Sequence, residues 1–386
     1  MIRIVWKGQE IACTTTVWSG TDTQASRELT FEVPTNNFDK DFKNAKIKLA
    51  DIVTMYNDYE PIFVGVVTSR DKTAEAGVTT YTARDFMHYL LRSSGSYKFK
   101  NKTAEKISRK LCKDIGISVG SLAKTRINIP KLIYIEEPFY DMIVNAYYNA
   151  SKVSGTKYMP CMDGKKFCVI EKGADCGVII EQGSNLISAN YTDTSDNMIN
   201  QVVIFSDKGK KLGKVKTDKV EKYGVYQQAY TKEDGKNAKK VAKNMMVGIT
   251  KEASVEAIGD IACIAGKAVT IHDKSTGLDG KFYVTSDTHT FENGTHTMKL
   301  ELAWMNTQEE GATYEEEKKK ELKNSEKCFY LATSSIYHSS KDCPACKGKS
   351  KQLKKSTVAE MKKIRITSGA NKGKRKYKPC AKCWEV

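Results

Sequence analysis

Two Cys-x-x-C pairs stand near the C-terminus, Cys343-Pro344-Ala345-Cys346 and Cys380-Ala381-Lys382-Cys383, with 33 residues between them. Thiolates presented in pairs from tight turns suit a tetrahedral Zn²⁺, each pair supplying two neighbouring ligands. The chain has 11 cysteines, five of them in the last 59 residues and six scattered over the preceding 327. That odd and uneven distribution is unlike a disulfide framework, and the paired spacing favours metal ligation in a reducing compartment. Two ligand sets fit the residues. The first expectation is Cys343, Cys346, Cys380 and Cys383. The alternative takes His338, five positions before Cys343, in place of Cys346. The segment is rich in Lys and Gly and short of apolar side chains, so one structural Zn²⁺ per chain is expected to supply part of its folding free energy.

A basic run follows the first pair: Lys372, Lys374, Arg375, Lys376 and Lys378. Such a run can meet a polyanion, either nucleic-acid phosphates or an anionic wall polymer, although a solvated face is the plainer reading. The chain carries a net +17; from Glu321 to Val386 there are 17 Lys/Arg against 5 Asp/Glu, which leaves only +5 for the first 320 residues. The body is therefore not a basic nucleic-acid wrapper. With 386 residues, 40% of them hydrophobic and only 7 Pro, the chain is long enough for two or three folded domains and is neither collagen-like nor disordered. No run reaches the ~18 apolar residues of a membrane-spanning helix. The opening Met1 to Gly8 lacks a basic segment leading into an apolar one, so export through a signal peptide is not expected.

No catalytic constellation accompanies the cysteines. The phosphate-cradling, zinc-protease and hydrolase-elbow signatures are all missing, and an enzyme is not expected. His88 reads as structural. His272, His289 and His296 fall in or beside strands, where one or two could meet in space. Asp85 suits a cap or a turn, and Asp260 a turn. Cys13, Cys112, Cys161, Cys168, Cys176 and Cys263 sit among core-like residues, with Cys161 and Cys168 flanking one hairpin.

The elements that must position these groups are mainly strands. Ile2 to Trp6, Ile11 to Trp18, Arg27 to Val33, Ile47 to Tyr56, Pro61 to Ser69 and Val78 to Ala83 carry strand composition, with Gly, Asn and Asp at the joins. From Lys102 the period becomes helical, with Thr103 as N-cap, fixing the start by its hydroxyl, and Gly116 as stop. A second helix is predicted from Pro138, a first-turn residue, to about Ser151. Asp163-Gly164 then joins a hairpin of Tyr158 to Met162 and Lys166 to Ile170. Strands return at Asn200 to Ser206, Val225 to Tyr230, Ala268 to His272, Gly280 to His289 and Thr297 to Trp304, with a helix over Asn237 to Met246. The expected domains are a first β unit at 1–95, an α+β insert at 96–180, a second β unit at 181–310, a charged linker at 311–327 and the metal module at 328–386. The fold class is mainly β with an inserted α+β unit.

Two resemblances extend this reading. Tyr337-His338, then Cys343, then a basic stretch ending Tyr377-Lys378-Pro379-Cys380-Ala381-Lys382-Cys383 resembles the small metal-binding domain of the Ada DNA-repair protein, whose relatives carry Y-H-x-x-x-C and a later P-C-x-x-C. That resemblance supports the His338 set, whereas the longer insertion here contains Cys346. The first ~310 residues resemble the baseplate hub of contractile phage tails, in the branch found in prophages and tail-like particles of Gram-positive bacteria. Pro61 to Val67, Tyr81-Thr82-Ala83-Arg84-Asp85, the helices after Lys102 and Pro138, Asn197 to Val202 and Gly280 to Trp304 carry it, in that order. The resemblance implies two β-barrel-like tube domains per chain and a homotrimeric, pseudo-sixfold ring joining the sixfold tail tube to the threefold central spike. It also implies tube, spike and other baseplate proteins as partners, assembly in the host cytoplasm, and a place at the distal end of the particle. A tail-associated wall-binding or wall-degrading protein and a zinc-module nucleic-acid binder are the alternatives.

Overall fold

The computed structural model describes residues 2–23, 26–36, 38–73, 77–233, 236–311, 327–331, 334–340, 343, 345, 352–364 and 376–380. The chain divides into two compact units, Met1–Thr313 and Tyr314–Val386. In the larger unit the first strands are β1 (Ile2–Trp6), β2 (Gln9–Ile11), β3 (Thr15–Thr21), β4 (Glu28–Pro34), β5 (Ile52–Asn57), β6 (Glu60–Lys72) and β7 (Val78–Asp85), followed by α1 (Met87–Arg92). Period-2 patterning makes them: along β4, Leu29, Phe31 and Val33 are buried while Thr30 and Glu32 face the other side. The insert comprises β8 (Ser94–Lys102), α2 (Ala104–Asp114), β9 (Ser118–Leu122), β10 (Ile129–Pro138), α3 (Phe139–Ser154), β11 (Tyr158–Asp163) and β12 (Lys166–Glu171). Its core gathers Ile107 and Leu111 of α2, Met142, Ile143 and Tyr147 of α3, and Phe167 of β12.

Then come β13 (Asp175–Glu181) and β14 (Leu186–Thr194). A small separate sheet follows, made from β15 (Gln201–Phe205), β16 (Lys211–Lys216) and β17 (Gln227–Thr231), with α4 (Lys219–Tyr223) and α5 (Ala238–Asn244) beside it. The unit ends with β18 (Thr250–Ile258), β19 (Ala268–Asp273), β20 (Leu278–Glu292) and β21 (Thr295–Ala303). The smaller unit holds β22 (Lys327–Tyr330), β23 (Ile336–His338), β24 (Lys354–Thr357), α6 (Val358–Lys363) and β25 (Lys378–Pro379).

One 13-stranded sheet runs β14-β18-β21-β20-β3-β4-β7-β6-β5-β1-β2, with β19 on β20 and β13 on β19. The two β regions are thus fused, and the expected barrels do not close. The reason lies in β3. It pairs with β4 on one side and, on the other, with β20 over seven rungs from Thr15↔Glu292 to Thr21↔Ser286. A strand committed to β20 has no edge left to close the first region on itself. The linker expected at 311–327 lies largely outside the described residues.

Local corrections follow the same logic. Ile11 to Trp18 is two strands rather than one, and Ile47 is a buried loop residue because Ala50 takes φ 70° before β5 begins. Thr103 stands at the N-cap of α2, but its hydroxyl makes no capping bond to the helix; it bonds the Glu105 carboxylate instead. Pro138 is the N-cap of α3 rather than a first-turn residue, and Gly155 ends that helix in the left-handed region at φ 80°.

The β3–β20 seam is held by charge. Asp287, fully buried on β20, accepts from Arg27 Nη1 at 2.9 Å and from the Ala265 backbone N–H at 2.6 Å, and its second oxygen pairs with Arg27 Nη2. The Arg27 guanidinium lies 4.0 Å from the centre of the Trp18 ring on β3. Gly20 leaves the space: a Cβ there would stand 2.6 Å from Arg27 Nη1. Asp85, also buried, accepts from the N–H groups of Arg27 and Met87, both at 3.0 Å, so it anchors β4 and the start of α1 together. His289 donates from Nε2 to the Cys263 carbonyl at 3.1 Å, which leaves its Nδ1 to accept from His296 Nε2 at 3.0 Å. Of the three strand histidines, one or two of which could meet in space, His289 and His296 therefore share a hydrogen bond.

Two outcomes follow. Asp287→Ala strands the Arg27 charge and is expected to cost about 3–5 kcal/mol, read as a lower urea midpoint; a loss within ~0.5 kcal/mol is what an ordinary surface site gives and would contradict the seam's role. Burial pushes the Asp85 carboxyl up from 3.8 to about 7. Between those values the folded chain keeps a proton that the unfolded chain has released, so this group's contribution to stability falls as pH rises through that window. Asp85→Asn should flatten that part of the stability–pH profile; an unchanged slope would assign it elsewhere.

Candidate metal centre

The smaller unit builds its site on a minimal ladder. β22 pairs with β23 and β24, and β25 adds to β23 in parallel through Ile336↔Lys378 and Tyr337↔Pro379. The next residue on each strand is a candidate ligand, His338 and Cys380, and the Cys380 N–H bonds the Tyr337 carbonyl at 2.9 Å. The ladder therefore fixes these two side chains by backbone register. Behind them, α6 is started by a capping box in which the Thr357 hydroxyl accepts from the Glu360 N–H and the Glu360 carboxylate accepts from the Thr357 N–H. Val358 and Met361 of α6 pack with Cys328, Tyr337, Leu353 and Tyr377 into the unit's core.

His338, Cys343 and Cys380 are all buried, and their ligand atoms lie within 4.8 Å of one another. The two sulfurs are 4.0 Å apart. Bonds of ~2.3 Å to a tetrahedral Zn²⁺ would set that edge at about 3.8 Å. Among the described residues His338 Nδ1 is buried without a hydrogen-bond partner, and burial holds the imidazole below its usual pKa, in the neutral form that ligates metals. Orphaned buried nitrogen and converging thiols are costly unless something coordinates them. The residues present fit a metal ion.

Cys346 and Cys383 lie outside the described residues, as do Lys372, Lys374 and Arg375. Lys376 and Lys378 are exposed, with Lys376 Nζ lying 5.4 Å from the Tyr377 ring centre. Sequence spacing puts His338 in the alternative set only; the β23–β25 register, invisible in the sequence, is what brings it to Cys380. In the body, Cys161 and Cys168 face each other across the β11–β12 hairpin. Burial pushes the Cys13, Cys112 and Cys161 thiols up to about 12, as expected of inert core thiols. Cys176 and Cys263, 87 positions apart, approach to 3.6 Å between sulfurs, a juxtaposition with no local signal in the sequence. No described helix is long and apolar enough to cross a membrane.

Comparison with known proteins places the larger unit. The uncharacterized protein YqbQ of Bacillus subtilis (strain 168) is 25% identical over 303 residues, covering 75% of this chain and 91% of the relative. The phage-like element PBSX protein XkdQ of the same organism is 25% identical over 302 residues, covering 75% and 92%. Among solved structures, the 43 kDa tail protein of prophage MuSo2 from Shewanella oneidensis shares the fold at TM-score 0.60 and 16% identity, over 78% of this chain and 97% of that one. The tail protein from Neisseria meningitidis MC58 does so at TM-score 0.56 and 14% identity, over 78% and 95%. The larger unit thus has a fold found in phage tail proteins. The family model described as YqbQ-like matches residues 16–303, which leaves the metal-site unit beyond the matched stretch. The chain belongs to the YqbQ-like family.

Proposed function

We propose that this protein is a non-enzymatic structural component of a phage tail or tail-like particle, the hub of its baseplate. In this reading three copies form a ring that joins the sixfold tail tube to the threefold central spike. The observation that carries the proposal is the fold shared with the Shewanella tail protein along 97% of that protein's length, together with the relation to XkdQ. The open sheet supports it: within the described residues, β14 pairs only with β18 and β2 only with β1, so each end of the path offers an unpaired edge. Exposed edges are a hazard in a solitary chain and an asset in a closed ring, where each copy covers its neighbour. The particle would assemble in the host cytoplasm and carry the protein to the distal end of the tail, with tube, spike and other baseplate proteins as partners.

Light scattering on the purified full-length chain should return three copies, or a concentration-dependent approach to three. A monomer at every concentration, with tube and spike partners failing to shift it, would sink the hub role.

In the same proposal the smaller unit holds one structural Zn²⁺ through His338, Cys343 and Cys380, with Cys383 or Cys346 as the fourth ligand. The metal would supply the constraint that so small a core, eight buried apolar or thiol side chains among the described residues, cannot provide alone. The basic run could then meet an anionic wall polymer. Metal analysis is expected to find one zinc per chain, and His338→Ala or Cys380→Ser to abolish it. Cys383→Ser and Cys346→Ser, made separately, identify the fourth ligand as the one whose loss releases the metal. Chelation should expose the smaller unit to proteolysis while 1–313 stays resistant; undiminished zinc in His338→Ala returns the assignment to four cysteines.

A further inference from the structure

The larger unit contains a second meeting of sulfurs, remote from the metal centre in sequence and in a different compact unit. Cys263 is fully buried in the loop between β18 and β19; Cys176 is half-buried near the start of β13. Their sulfurs lie 3.6 Å apart. We propose that Cys176 and Cys263 are a reactive dithiol that closes to an intramolecular disulfide when the protein meets a small-molecule disulfide such as oxidised glutathione.

Three observations carry this. Both partners are pinned near each other by backbone bonds that do not involve the sulfurs. The Gly173 N–H donates to the Gly266 carbonyl at 2.7 Å and the Ala268 N–H to the Ala174 carbonyl at 2.8 Å, so the strand entering Cys176 is sewn to the loop carrying Cys263. Pinning of this kind raises the effective concentration of one thiol at the other. Next, Cys176 has slack where it needs it. The β13–β19 register breaks between Asp175 and Ile179, and Gly177 takes φ 76°, so the backbone around Cys176 is not locked into the ladder. Closing 3.6 Å to a bond of ~2.05 Å takes a movement of about 1.5 Å, within reach of side-chain rotation and small shifts in that stretch. Finally, the two thiols are chemically unequal. The contact between the two sulfurs, with the Val178 N–H and Lys267, holds the Cys176 thiol below its usual pKa against the cost of burial, while Cys263 is raised.

Access sets the order of events: Cys176 is half-buried and Cys263 fully buried, so a small disulfide reaches Cys176 first. The Cys176 thiolate attacks one sulfur of glutathione disulfide, forming a mixed disulfide and releasing one glutathione thiolate. The Cys263 sulfur, as its proton leaves to that thiolate, attacks Cys176 Sγ and expels the second glutathione. Two protein thiols are oxidised and one small disulfide is reduced to two thiols, so electrons and protons balance. The bond would staple β13 to the loop whose Cys263 carbonyl and Ala265 N–H hold His289 and Asp287, and so would fix the β3–β20 seam. This chemistry does not depend on the hub reading.

The test treats the purified, zinc-replete full chain with glutathione disulfide, blocks remaining thiols with N-ethylmaleimide in acid, and maps peptides by mass. The expected product in the wild type is a 176–263 cross-link with little glutathione retained. In Cys263→Ser, the adduct at Cys176 should accumulate about tenfold above wild type because no resolving thiol follows it. Cys176→Ser should show neither cross-link nor adduct at Cys263. A wild type that retains glutathione at Cys176, pairs Cys176 with a different cysteine, or leaves both thiols free to react with maleimide only after unfolding overturns the proposal.

Discussion

The pairing of β3 with β20 is the constraint on which the larger unit depends. It joins strands 260 and more positions apart, and all of the first β region reaches the second through it. Backbone hydrogen bonds alone would tolerate a slipped register, but the Arg27–Asp287 pair does not. Moving β3 by one residue sends Trp18 to the opposite face and removes the platform on which the guanidinium rests. A buried ion pair is an expensive way to gain stability, since both ions are desolvated; its better-founded use is to specify one arrangement among several. The cluster is not even fully satisfied, for among the described residues Trp18 Nε1 and Arg27 Nε are buried without partners.

The insert is tied to this sheet by a second set of polar contacts. Lys172, at the exit from β12, pairs with Asp22 just past β3, each side chain 6% exposed, and Lys172 Nζ also donates to the Thr307 carbonyl at 2.9 Å. Gln308 pairs with both backbone groups of Tyr158 in the manner of one more strand rung, at 2.6 and 3.0 Å, and the Tyr140 hydroxyl donates to Glu309 at 3.1 Å. The segment after β21 therefore acts as a strap across α3 and β11. Asp22 follows directly from the strand that makes the seam, so an error in β3 register would propagate into the docking of the insert.

Local order was legible in the sequence and long-range pairing was not. Alternation over Glu28–Pro34 and Val78–Asp85 announces half-buried strands, and Asn293-Gly294, at φ 51° and 75°, announces the β20–β21 hairpin. Nothing near Val17 announces Thr290 as its partner, because a strand's polar edge looks the same whichever strand completes it. Hence two barrels were expected where one open sheet is found. The small β15–β16–β17 sheet is hidden for a related reason: β15 and β17 read as strands, but half of β16 is lysine, and only their separate pairing, with a core of Val202, Ile204, Tyr230 and Ala242, sets them apart. Thr103 shows a different failure, a correct cap position whose hydroxyl is drawn off by a nearby carboxylate.

The candidate metal site divides along the same line. Cys343 and Cys380, one from each C-x-x-C pair, are legible as candidate ligands because thiolates serving one ion from a tight turn lie close in sequence, while Cys346 and Cys383 lie outside the described residues. The histidine was harder to weigh, since its nearness to Cys380 depends on two rungs of parallel pairing between segments some 40 residues apart. Such a short ladder has little cooperative strength by itself, for three or more strands and an apolar face are needed before hairpin-sized sheets stand alone. Among the described residues the unit's core is correspondingly rich in sulfur and poor in large aliphatic side chains. Register and ligation are then mutually dependent: the ladder brings His338 and Cys380 together, and a metal held between them would keep the ladder from fraying. The β3–β20 seam answers the same problem in the larger unit with an ion pair. In both units, pairing between distant segments brings together a cluster of side chains that only one register can assemble: Arg27 with Asp287 in the larger, His338 with Cys380 in the smaller.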